Sequence, residues 1–261
     1  MAQEAGKIDP MSQFEVTTLF GQEWEVLGYA IPFTNSAAWM AATLVALWLF
    51  MLGGMKRELI PGRWQMAVEG VTGFISDMVD ANIGPKGKRY VPYIFSLFMF
   101  ILVANMLGML PTAIFGVKAF TVTSHLTVTG VLAMATFAIV LLVGFGTHGI
   151  KFFKLFIPAG TPLVMIPMIF LIELISFLVR PFSLAVRLFV AMTAGHVLLK
   201  VLAGFVINAG SAGAVTAAAV SLPSFVLMIG ISLLELLIAF IQAYVFALLA
   251  SSYLNDAINL H

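Results

Sequence analysis

The stretch TPLVMIPMIFLIELISFLVRPFSLAVRLFVAMTAGHVLLKVL, residues 161–202, decides how this chain folds. It is a single apolar run of 42 residues, whereas a helix crossing a bilayer perpendicularly needs only about 20. A run about twice that length must tilt steeply or break into two helices. A second overlong run, Leu222 to Tyr253, follows a Gly- and Ala-rich connector from Ala209 to Ala219. The helices are expected over 161–208 and 220–254.

Composition sets the surroundings of these runs. Of the 261 residues 61% are hydrophobic and 10% charged, too little polar surface for a soluble domain of this size. The chain belongs in lipid. Net charge is +1, from 13 Lys and Arg against 12 Asp and Glu, so there is no basic surplus to hold nucleic acid. With no cysteine, disulfides and thiolate chemistry are excluded.

Working outward, three shorter spans precede the long runs. Ser36 to Met55 is the first, closed by the stop signal Lys56-Arg57-Glu58. Tyr90 to Ile114 is the second and Leu126 to Thr147 the third, joined by a loop with Pro111, Gly116 and Lys118. Between the first two, Pro61 to Asn82 carries Glu69, Asp77 and Asp80 among apolar residues at helical spacing, which predicts an amphipathic helix on the membrane surface. The fold class expected is therefore an all-α polytopic membrane protein with five passes, two of them long and tilted, plus one interfacial helix. Residues 1–35 form an N-terminal segment, 36–255 the transmembrane domain and 256–261 a C-terminal tail. The N-terminus has no basic region followed by an apolar one, so no cleaved signal peptide is expected.

The basic residues set an orientation. With the N-terminus outside, Lys56, Arg57, Arg63, Lys86, Lys88, Arg89, Lys151 and Lys154 fall in the cytoplasm, and only Lys7 and Lys118 outside. The C-terminus is then cytoplasmic.

Charges inside a bilayer cost about 2.5 to 3.5 kcal/mol each on insertion scales and mark ion paths or relays. The first long run holds Glu173, Arg180, Arg187, His196 and Lys200; the last holds Glu235. At about 100° per residue, Glu173, Arg180 and Arg187 lie within about 40° on one stripe roughly 21 Å long. His196 falls about 180° from Arg187, on the opposite face. Glu235 and Gln242 share a face and suit His196 across an antiparallel pair. Arginine stays protonated, so Arg187 cannot relay a proton but can attract and deprotonate a carboxylate on a moving partner. His196 and Glu235 can titrate, which suits a proton-accepting antechamber, with Gln242 holding water.

Blander readings stand beside these. Arg187 could pair permanently with Glu173 or Glu235 as interhelical glue, and His196 could be a satisfied hydrogen bonder. Arg180, which precedes Pro181, and Lys200 could snorkel or neutralise a neighbour. No GxxxxGK[ST] loop and no HExxH occur, and His125, His148, His196 and His261 are too far apart in sequence for a metal signature. Nothing points to haem, although the span flanked by His125 and His148 is where it would sit. No cofactor is expected.

The segment Arg180-Pro-Phe-Ser-Leu-Ala-Val-Arg187-Leu-Phe-Val-Ala-Met-Thr-Ala-Gly195-His196 resembles the signature of subunit a of F-type ATP synthases, in which Arg187 matches the family's indispensable arginine. Tyr93-Ile-Phe-Ser-Leu-Phe with Asn105-Met-Leu-Gly-Met-Leu-Pro111 is similar to that family's second span. Thr123-Ser-His-Leu-Thr-Val-Thr129 is similar to the start of its third. The likeness covers roughly residues 30–255. Two departures stand out: Val190 and Ala191 where many bacterial members have Gly and Asn, and His196 and Glu235 where they have Glu and His. That exchange resembles the mitochondrial arrangement and implies an alphaproteobacterial source.

The resemblance implies two tilted helices wrapping a ring of c subunits, and two half-channels in a bacterial inner membrane with the N-terminus periplasmic. Protons would reach the ring carboxylate from outside past His196, Glu235 and Gln242, and leave past Glu173, with Arg187 preventing a short circuit. The implied partners are the c-ring, b-type peripheral stalk subunits beside the interfacial helix, the soluble F₁ sector through the stalks, and lipid. The subunit itself would catalyse no bond chemistry. Two rivals are a proton-coupled secondary transporter, against which no pairing of short broken helices between two halves is visible, and a purely structural subunit of a respiratory complex.

Overall fold

The computed structural model describes residues 14–26, 29–55, 61–110, 120–157, 162–210 and 213–259. The stop signal Lys56-Arg57-Glu58, the loop residues Pro111, Gly116 and Lys118, the cation Lys7 and His261 lie outside the described residues. So do the expected ends of the second span at Ile114 and of the fourth at Thr161.

Among the described residues, six α-helices make the body: α1 Asn35–Gly54, α2 Arg63–Ile83, α3 Val91–Met109, α4 Leu126–His148, α5 Ile166–Gly210 and α6 Ala214–Ile258. Among the described residues, five helical segments are long and apolar enough to cross a membrane: those of α1, α3, α4, α5 and α6. This is an all-α polytopic membrane protein. At 45 residues each, α5 and α6 run about 67 Å, over twice the bilayer core, so neither fits perpendicular to it. Of the two alternatives for the long run, it is one helix: α5 continues through Pro181, and α6 likewise contains Pro223.

Ahead of α1 lies an element that hydropathy did not signal. Strands β1, Thr18–Val26, and β2, Tyr29–Thr34, pair antiparallel from Thr18↔Thr34 to Val26↔Tyr29, with a register shift between Thr18 and Glu23. Asn35 ties this hairpin to α1: its Nδ2 donates to the Glu15 carbonyl at 3.0 Å, and its Oδ1 accepts from the Thr17 amide at 3.2 Å. Thr34 caps α1 by accepting from the Ala37 amide.

Helix α2 has the predicted two-sided character. Val68, Ile75, Met78, Val79 and Ile83 are buried at spacings of three, four and seven, while Glu69 and Asp77 are exposed. It packs along α1, α3 and α6. The Trp64 indole donates to the Phe50 carbonyl of α1 at 2.9 Å, and Phe74 meets the rings of Phe98, Phe240 and Tyr244. The core runs from this helix through Ile94, Phe98 and Ile101 of α3 to Leu184, Leu188 and Met192 of α5 and the inner face of α6. The connector expected at Ala209 to Ala219 is mostly helical, because alanine is the strongest helix former, and only residues 211–213 separate α5 from α6.

Candidate functional site

The inner face of α6 positions the site. Glu235, Ala239, Ala243, Ala247 and Ala250 recur every three or four residues, all at most 2% exposed. Small side chains let a neighbouring backbone approach closely, and α5 is the helix most closely packed against α6. Two side-chain links between them, Arg180 to Asp256 and His196 to Glu235, are seen among the described residues and run in opposite sequence order, so the helices are antiparallel. Those links stand about 24 Å apart along α5, with Arg187 between them.

At the upper link, Nδ1 of His196 meets Oε1 of Glu235, and Nε2 of the same ring meets the Thr121 hydroxyl. Glu235 is 2% exposed, so its carboxyl has little besides the imidazole to offset its desolvation. The expected partnership across the helix pair is therefore a contact in the fold. Thr121 was not among the expected site residues.

A polar cluster holds Thr121 in place. Asn105 of α3, fully buried, donates from Nδ2 to the Ala239 carbonyl at 3.2 Å, one turn of α6 from Glu235. Its Oδ1 accepts from the Thr123 hydroxyl at 2.6 Å. The Ser124 hydroxyl donates to the Thr121 carbonyl at 2.6 Å, and Thr193 of α5 donates to the Ser124 carbonyl at 3.4 Å. The short turn Val122–Ser124 is thus clamped by α3 on one side and α5 on the other. Asn105, an amide in a mainly apolar span, was the sequence signal for this cluster, since buried amides must find partners.

Arg187 has a different setting. It is exposed on α5, near exposed Phe182 and Val190, and no carboxylate among the described residues lies within ion-pair distance of it. The glue reading of Arg187 with Glu173 or Glu235 has no such contact behind it: Glu235 takes His196 instead, and Glu173 is half-buried and also without an ion pair among the described residues. The three charges expected on one stripe, Glu173, Arg180 and Arg187, lie on the same continuous helix but meet different surroundings. Arg180 turns to Asp256 at 2.7 Å and lies over the rings of Phe177 and Tyr253 at 5.5 and 5.1 Å, which fits the structural reading given to it. Gln242 is half-buried, about two turns from Glu235, and forms no side-chain hydrogen bond among the described residues, so it does not join the His196–Glu235 contact. His148 and His125 each meet a backbone carbonyl, of Ile258 and Phe14. Among the described residues no group of three or more His, Asp or Glu could hold a metal ion.

Chemically, the site offers a buried imidazole–carboxyl pair able to hold one proton in more than one place, and about 14 Å away a permanent positive charge on an outer face.

A family model described as ATP synthase A chain matches residues 36–255. The chain is 69% identical to ATP synthase subunit a of Rhizorhabdus wittichii and 65% identical to that of Erythrobacter litoralis, with 100% of both chains covered in each case. It is 46% identical to ATP synthase subunit a of Rhodospirillum rubrum, over 97% of this chain and 99% of that one. These relatives are alphaproteobacterial.

Proposed function

The chain belongs to the ATP synthase A chain family, and on that premise we propose that it is the stator half of a proton-driven rotary motor. The family role is that of the proton-translocating membrane subunit of ATP synthase. In the finer reading, two half-channels meet the carboxylates of a c-ring, and Arg187 stands between them. The chain is non-catalytic: it delivers protons, while ATP is made in the F₁ sector, to which b-type peripheral stalk subunits connect it.

The observation that carries this reading is the contrast between the two charged groups. Glu235 is buried and already engaged by His196, whereas Arg187 is exposed on an apolar face with no carboxylate of the described chain beside it. An unpaired guanidinium facing lipid is costly. A carboxylate supplied by another subunit would relieve that cost, and the guanidinium would in turn favour its ionised form. With the N-terminus periplasmic in a bacterial inner membrane, His196 and Glu235 lie in the outer half and load protons; Glu173, near the cytoplasmic end of α5, lines their exit. Gln242, roughly level with Arg187 in the antiparallel pair, holds water at the junction.

The test is the assembled complex carrying Arg187→Ala in proteoliposomes, assayed for gradient-driven ATP synthesis and for passive proton leak. Loss of synthesis with the complex intact, together with an added leak, supports a gate between two half-channels. Near-normal synthesis overturns it and favours a structural subunit.

A further inference from the structure

Thr121 touches the one ring nitrogen of His196 that Glu235 leaves free. We propose that Thr121 is a positioning residue, whose hydroxyl keeps Nδ1 of His196 on Glu235 wherever the shared proton resides. This inference rests on the proton-loading reading of the His196–Glu235 pair.

A hydroxyl is suited to this because it can donate or accept. When Glu235 is ionised and Nδ1 carries the proton, the bare Nε2 takes a hydrogen bond from the Thr121 hydroxyl. When Glu235 holds the proton and donates to a bare Nδ1, the proton is on Nε2, which donates to the Thr121 oxygen. When the ring is doubly protonated, Nε2–H again donates, and the bond is charge-assisted. No state leaves a buried ring nitrogen without a partner, an omission that is costly in a protein interior.

The fold holds the hydroxyl against the ring. Thr121 is 3% exposed, and its neighbours are fixed by the bonds of Asn105, Ser124 and Thr193. Behind it, the last turn of α3 presents bare backbone at Gly108, where an added Cβ would lie 2.1 Å from Oγ1 of Thr121 and 2.6 Å from its Cβ. Glycine is the residue that leaves room for Thr121 there. Among the described residues, the ionisable groups placed near His196 are Glu235 on α6, Lys200 one turn further along α5, and His125 at the start of α4, whose ring is turned to Phe120 and the Phe14 carbonyl. From α3 come the neutral Asn105 and Gly108.

The experiment uses the complete ATP synthase in proteoliposomes and follows ATP-driven proton pumping as a function of pH for Thr121→Val, Thr121→Ser and Gly108→Ala, with the yield of assembled complex as the control. Thr121→Val is expected to lower the rate roughly tenfold per assembled complex and to displace the pH profile, because Nε2 of His196 then lacks its partner in every arrangement of the shared proton. Thr121→Ser restores most of the rate and the original profile. Gly108→Ala moves the profile the same way with the hydroxyl still present, by pushing it off the ring. A Thr121→Val profile that stays in place, with rate falling only as assembly falls, overturns the proposal and makes Thr121 a packing residue. If Thr121→Val does not assemble, the other two variants decide: an unmoved Gly108→Ala profile, or a Thr121→Ser profile as altered as that of Gly108→Ala, overturns it equally. Failure here with Arg187→Ala still abolishing synthesis removes only Thr121's role; near-normal synthesis in Arg187→Ala removes the stator reading beneath it.

Discussion

A Cβ added at Gly195 would lie 2.7 Å from Oε1 of Glu235, so the glycine preceding His196 keeps open the space into which the α6 carboxyl reaches. The adjacent residues of α5 divide the work: Gly195 admits the carboxyl and His196 binds it.

Gly195→Ala is therefore expected to displace Glu235 from His196 and to cut gradient-driven ATP synthesis severalfold, with strain on the order of 1 to 3 kcal/mol. Shortening the intruding side chain should relieve it, so Gly195→Ala combined with Glu235→Asp should recover more synthesis than the two separate losses allow. Synthesis and stability measured on the same preparations check this, and strictly additive losses would count against steric coupling.

Asn105 ties α3 to both α6 and the turn that carries Thr121. Asn105→Leu removes two buried hydrogen bonds and leaves the Ala239 carbonyl and Thr123 hydroxyl seeking partners. The expected cost is about 1 to 2 kcal/mol, given the modest measured worth of polar contacts between membrane helices. It would be read as a lower midpoint of thermal unfolding in detergent. Activity should fall more than assembly, because the turn under His196 loosens; an unchanged midpoint and rate would show that the amide is dispensable.

How much of this was legible in the sequence varies with the range of the interaction. The expected third span, 126–147, and α4, Leu126–His148, differ by one residue, because hydropathy is a local property that lipid reads directly. The antiparallel meeting of His196 with Glu235 followed from one face of each long helix. The hairpin at Thr18–Thr34 was not legible, since strand formation there depends on pairing more than on periodicity. Asp256 as the partner of Arg180, and Thr121 as the partner of His196, lie 76 and 75 residues from them. Such contacts depend on how the loops fold back, which spacing along one helix does not report. Gln242 shares a face with Glu235 in the sequence, yet no side-chain bond joins it to the pair.

The lower link between α5 and α6 should behave as a clamp and not as part of the proton path. Both partners of Arg180 and Asp256 are 28% exposed, so the ion pair itself is worth about 1 kcal/mol or less. Stacking of the guanidinium on Phe177 and Tyr253 adds about 0.5 to 1 kcal/mol. Asp256→Asn should thus be milder than Arg180→Ala in thermal stability, and both should pump protons at near-normal rates once assembled. A pumping defect in Asp256→Asn larger than its loss of complex would show that the clamp takes part in translocation.

The alanine stripe of α6 makes the sharpest packing prediction. Ala243 is fully buried on the face where α6 meets the bundle, whereas Leu142 of α4 is 73% exposed. Lipid is as apolar as leucine, so removing an exposed methyl-rich side chain from a membrane helix forfeits little, while inserting one between close-packed helices forces them apart. Ala243→Leu should cost at least about 1 to 3 kcal/mol and sharply reduce the recovered complex, and Leu142→Ala should leave it near wild type. Because the same stripe begins at Glu235, whatever survives of Ala243→Leu should also pump poorly per complex: a wedge two turns away opens the contact of Glu235 with His196. Normal pumping by that residue fraction would mean that the upper link is set by the turn at Thr121 alone, independent of how closely α5 and α6 approach.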